Sequence, residues 1–82
     1  MTRLPPDSRP AISLSPRQIS CLHLAASGKT SRQIGAALGI SARTVNQHIG
    51  DACSRLQVHN RIQAVAKAVK LGIIMVEDPS AI

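Results

Sequence analysis

The 82-residue chain contains no Phe, Trp or Tyr. Its core must therefore be built from Leu, Ile, Val and Ala on closely packed elements, without the large rings that usually dominate packing. Base-stacking platforms of the kind that hold single-stranded nucleic acids are excluded as well. Acids are scarce, with four Asp and Glu against ten Lys and Arg. The two cysteines, Cys21 and Cys53, lie in separate segments and lack the C-x-x-C spacing of a zinc or redox site. They read as reduced small hydrophobes on or beside apolar helix positions. No run approaches the ~20 apolar residues of a membrane span, and the N-terminus carries no signal-peptide pattern. The expectation is a cytoplasmic protein without metal, cofactor or membrane partner. One Asp and three scattered His between residues 13 and 74 offer no nucleophile–base pair, so an enzyme is not expected.

A chain this short accommodates one small domain. Residues 1–13 are rich in Pro, Ser and Thr without a period and are expected to form a disordered arm or linker. Residues 14–74 form the candidate domain, and 75–82 read as a frayed tail. The formal charge of +6 is concentrated in the middle. From Ser13 to Ile74, eight Lys and Arg face a single acid, Asp51, a balance that favours a polyanionic partner.

Cap signals divide the domain into four helices and leave no segment that reads as a strand. Ser15, Pro16 and Gln18 supply an N-cap, a first-turn proline and a capping box, with Leu14 and Ile19 as a hydrophobic staple. Gly28 stops that helix. Thr30 and Gln33 repeat the box spacing before a short helix ending at Gly39. Ser41 opens a third helix over 42–56, whose apolar stripe is Val45, Ile49, Ala52, Cys53 and Leu56. Asn60 and Gln63 open a fourth over 61–71, which Gly72 stops. Ile34 and Leu38, the turn glycine Gly39, the corner residue Ile40 and Val45 have the spacing of a helix-turn-helix, which presents its second helix to the DNA major groove.

At 100° per residue the third helix turns Arg43, Gln47, Gly50 and Ser54 away from the stripe, with Asn46 and His48 on the flanks. Amide side chains near a helix N-terminus suit adenine, whose N6 and N7 pair with Asn or Gln together. Arg43 suits guanine or phosphate. Gly50 would let the helix backbone approach DNA closely. Asp51 opposes phosphate, but Arg55 four residues on can pair with it. Phosphate contacts are expected at helix N-termini, from Lys29, Thr30 and Arg32, from Ser41 with Arg43, and from Asn60 with Arg61. The fourth helix has two apolar faces. Ala64, Val65, Ala68, Leu71 and Gly72 make one, while Ile62, Ala66, Val69 and Ile73 make a second for which a self-association role is expected. An alternative places Ile73 and Ile74 at the bottom of the core.

From Leu14 to Ile74 the sequence resembles the LuxR-type (GerE-like) helix-turn-helix domain of bacterial transcription regulators. The segments carrying the resemblance are GKTSRQIGAALGIS, TVNQHI and RLQVHNRIQAVAKAV with its closing Gly72. The TVN-x-H pattern is more similar to the quorum-sensing branch than to the response-regulator branch. The resemblance implies an all-α, four-helix module that binds two-fold symmetric duplex DNA as a homodimer through its last helix. It implies base contacts at Asn46, Gln47 and Gly50, and backbone contacts at Thr44, His48 and the caps around Thr30 and Asn60. Protein partners would be RNA polymerase or a full-length LuxR-type regulator, and the site of action the bacterial nucleoid. Gln18 stands where the family usually has Glu, and Gly35 replaces a common Ala, which is expected to loosen the second helix. These regulators normally carry a signal-binding or receiver domain ahead of the module. Two readings stay open: a sequence-specific transcription regulator, and a truncated regulator that pairs through its last helix with a full-length relative and inhibits it.

Overall fold

The computed structural model of the chain describes residues 13–75. The expectations for the arm before residue 13 and for the tail from 76 onward lie outside the described residues. Four helices run in order, α1 (Pro16–Ala26), α2 (Ser31–Leu38), α3 (Ala42–Leu56) and α4 (Arg61–Lys70). There is no strand among the described residues.

Each helix starts where its cap chemistry satisfies the free N–H groups of the first turn. Ser15 Oγ accepts the Gln18 N–H at 3.1 Å, and Gln18 Oε1 accepts the Ser15 N–H at 2.9 Å. Thr30 and Gln33 repeat this box at 3.2 and 2.9 Å. Ser41 Oγ accepts the Thr44 N–H at 3.0 Å. At α4 the box is stretched by one residue. Asn60 Oδ1 accepts the Gln63 N–H, while Gln63 Oε1 reaches past the cap to the His59 N–H at 2.8 Å.

The C-terminal ends are more varied. Gly28, at φ +89°, lets the Lys29 N–H close onto the Leu24 carbonyl while its own N–H closes onto Ala25. α3 makes the same turn without a glycine. Gln57 takes φ 59°, a conformation that costs a non-glycine residue roughly 1–2 kcal/mol. Lys67 offsets part of this by donating its Nζ to the Leu56 carbonyl at 2.7 Å, so a cation sits where the α3 dipole is negative.

α3 is the hub of the domain, packing against α1, α2 and α4. Val45, Ala52 and Leu56 are fully buried and Ile49 nearly so. They meet Cys21 and Leu22 of α1, Ile34 of α2, and Ala64 and Ala68 of α4. The alanines let α3 and α4 approach closely, which is how a ring-free core closes. Ile74 plugs its lower end at 3% exposure.

The last turn corrects the expected faces of α4. The helix stops at Lys70, one residue short of the expected end, and Leu71 becomes the cap, 48% exposed rather than in the core. Gly72 then turns left-handed and brings the Ile73 N–H onto the Ala68 carbonyl at 2.8 Å. This turn swings Ile73 away from the line of Ile62, Ala66 and Val69. It packs half-buried against the core instead. A helical period cannot be extended past its own C-cap.

Gly35 also differs from expectation. It is buried, and a Cβ placed there would collide with the Ile40 carbonyl oxygen and lie 3.2 Å from the Ser41 carbonyl carbon. The Gly35 carbonyl accepts the Ile40 N–H at 3.0 Å. The glycine thus marks the closest approach of α2 to the turn that launches α3, rather than a loose point in the helix.

Candidate nucleic-acid interface

The buried stripe of α3 fixes its opposite side. With Val45, Ile49, Ala52 and Leu56 committed to the core, Arg43, Asn46, Gln47, Gly50 and Ser54 are all exposed. Thr44 and His48 are half-buried at the margins. Gly50 leaves open space, since a Cβ built there meets nothing within 4 Å. No packing demand explains a glycine at this position. In the free protein Gly50→Ala is therefore expected to stabilise the fold by about 0.8–1.0 kcal/mol, the helix-propensity difference, measurable by urea titration. A loss of stability would mean that α3 is strained there.

The flank of α3 nearest α2 carries a hydrogen-bond relay. Ser31 Oγ, in the first turn of α2, donates to Asn46 Oδ1 at 2.6 Å. The same Oγ accepts from the Arg61 guanidinium at 2.5 Å. The starts of α2 and α4 are thereby tied to the first half of α3. The place of Asn46 on α3 made it a candidate in the sequence, whereas Ser31 carried no such signal. Its partners lie fifteen and thirty residues away, a distance at which no local pattern reports a contact. Arg61, expected at a phosphate, is half-buried and turned to Ser31.

Around this flank lie Lys29, Thr30 and Arg32 at the start of α2, Ser41 and Arg43 at the start of α3, and Asn60 at the start of α4. All six are exposed. None of α2, α3 or α4 has an acid in its first turn, so the positive ends of three helix dipoles stay uncompensated. Asp51 is the one acid among the described residues and is exposed on α3. Arg55 does not serve it as expected. Its guanidinium donates to the Ser13 carbonyl at 3.1 Å.

Among the described residues no three His, Cys, Asp or Glu side chains cluster to hold a metal ion. Both cysteines are free, with Cys21 buried and Cys53 half-buried. Burial pushes both thiols up, against the opposing charge of Arg61 at each and of Arg17 at Cys21. No helix among the described residues is long and apolar enough to cross a membrane.

α4 exposes Ile62 at 80% and Val69 at 39%, with Ala66 exposed between them. Beside them a shallow groove is lined by Gln63, Ala66, Lys67, Lys70 and Leu71. Three of the four residues expected on the self-association face, Ile62, Ala66 and Val69, thus form one exposed strip.

A capped helix, a left-handed glycine turn and a second helix with one buried and one polar face define a helix-turn-helix domain. Residues 12–68 match the family model of bacterial regulatory proteins of the luxR type. The chain belongs to the luxR family of bacterial regulatory proteins. It is 39% identical over 74 residues to the transcriptional activator protein VanR of Vibrio anguillarum, a match covering 90% of this chain and 31% of VanR. It is 46% identical over 61 residues to the quorum sensing-dependent transcriptional regulator RpaR of Rhodopseudomonas palustris, covering 74% of this chain and 25% of RpaR. The chain therefore spans about a third or less of these relatives. Among solved structures, that of the transcription factor GerE superposes with a TM-score of 0.76 at 27% identity, covering 82% of this chain and 98% of GerE. The response regulator ChrA of a heme-sensing two-component system superposes with a TM-score of 0.73 at 37% identity, over 82% of this chain and 33% of ChrA.

Proposed function

We propose that this chain binds duplex DNA sequence-specifically as a transcription regulator, with α3 in the major groove and two copies paired through α4. The observation that carries the reading is the division of α3. One side is sealed in the core, and the other presents a cation, two amides and a glycine flanked by three electropositive helix starts. Arg43, Asn46, Gln47 and Gly50 face the bases. Lys29, Thr30, Arg32, Ser41, Thr44, His48 and Asn60 face phosphates, which fixes orientation without carrying sequence information. Regulators of this family, VanR and RpaR by their names among them, support the regulatory reading.

Dimerisation follows from the apolar strip of Ile62, Ala66 and Val69, which the chain's own core leaves uncovered. Pairing it with the same strip of a second copy gives a two-fold complex. The test is selection of bound duplexes from a random pool at moderate salt. The expected product is an inverted repeat with half-sites about one helical turn apart. Val69→Glu, which places charge on the strip, is expected to reduce that product to single half-sites and to leave the chain monomeric in sedimentation. Binding without any sequence enrichment would overturn the reading.

A further inference from the structure

We propose that Ser31 and Arg61 decide which base Asn46 reads, by holding its amide so that only the NH2 group faces outward. This rests on the reading of α3 as a major-groove helix. An Arg guanidinium carries only donors, so Ser31 Oγ must accept from it. The single hydroxyl hydrogen of Ser31 is then free to donate. Its 2.6 Å contact with Asn46 has the length of an O–H···O bond, which fixes the atom facing Ser31 as Oδ1. The positive charge behind Ser31 polarises the hydroxyl and makes it a stronger donor to that oxygen. Arg61 is well placed to stay there. It is half-buried, and its charge is felt at Cys21 of α1 and Cys53 of α3, inside the domain rather than beyond it.

The consequence for recognition is a change of code. Pairing with adenine needs the amide oxygen and nitrogen together, one accepting from N6 and the other donating to N7. With Oδ1 aimed at Ser31 and one of its two lone pairs taken there, the Asn46 NH2 is the half of the amide left to lead toward a base. Guanine, with N7 and O6 side by side, is the best complement, and thymine O4 comes second. Adenine and cytosine each present an amino group that opposes the Asn46 NH2. Gln47 makes no side-chain hydrogen bond among the described residues and keeps both halves of its amide for adenine. Two neighbouring amides thus read different bases, and Arg61 is a positioning residue instead of a phosphate ligand.

The experiment is duplex selection with the 82-residue chain and with Asn46→Ala, Ser31→Ala and Ser31→Thr. Asn46→Ala identifies the position read by Asn46 as the one whose preference disappears. There the unaltered chain is expected to enrich guanine. Ser31→Ala frees Oδ1 and is expected to shift the adenine-to-guanine ratio at that position by on the order of tenfold, the scale of one base pairing, with other positions unchanged. Ser31→Thr keeps the hydroxyl and is expected to keep guanine, a rescue that a general loss of fold would not give. Adenine already preferred by the unaltered chain, or a preference that Ser31→Ala leaves in place, would overturn the relay while leaving DNA readout intact. No enriched sequence with any of the four proteins would overturn the DNA reading and the relay with it.

Discussion

Gly35→Val is expected to lower stability by about 3 kcal/mol, while Gly50→Val changes it by less than about 0.5 kcal/mol. Valine differs from glycine by only a few tenths of a kcal/mol in helix propensity, so the pair reports packing and little else. At Gly50 the added carbons enter open space. At Gly35 the first added carbon already lies on the Ile40 carbonyl oxygen and close to the backbone of Ser41 and Ala42. Backbone has no alternative rotamer, so relief requires moving the turn. That movement weakens the Ile40 N–H to Gly35 carbonyl bond and tilts the start of α3. In a domain of this size the loss corresponds to a fall in Tm of more than about 10 °C, readable by circular dichroism. Equal and small effects at the two glycines would mean that the turn yields freely, and that Gly35 sets nothing about where α3 points.

The same pair shows where sequence and structure part. Helix starts were legible because capping is local: Ser15 with Gln18 and Thr30 with Gln33 form their boxes within four residues. The two sides of α3 were legible because the helical period separates Val45 and Ile49 from Gln47 and Gly50. Gly35 stood in the sequence as a helix residue of poor propensity. What it meets depends on how the chain folds back after Gly39, which no period records. The end of α3 carries no glycine because Gln57 itself turns left-handed, with Lys67 of another helix on the last carbonyl. Ile73 fell on the apolar line of α4 by counting, until the Gly72 turn broke the count. The relay through Ser31 joins three helices and exists only once they are packed.

Gln47→Ala is expected to remove discrimination at the base it reads without removing DNA binding. Losing one bidentate base contact costs about 2 kcal/mol per half-site, and about twice that in a two-fold complex, so the preferred operator loses roughly a thousandfold in affinity. Affinity for unrelated duplex is expected to stay level, because that binding comes from phosphate neutralisation. The slope of log affinity against log salt is expected to stay level too. Lys29→Ala provides the opposite signature. It removes one cation beside the start of α2, so binding to all sequences weakens together and the slope falls by about one per half-site. Titrations of operator and scrambled duplexes across salt concentrations separate the two patterns. If Gln47→Ala weakened both duplexes equally, α3 would be lying along the phosphate backbone. The readout assigned to its exposed side would then have to come from elsewhere in the domain.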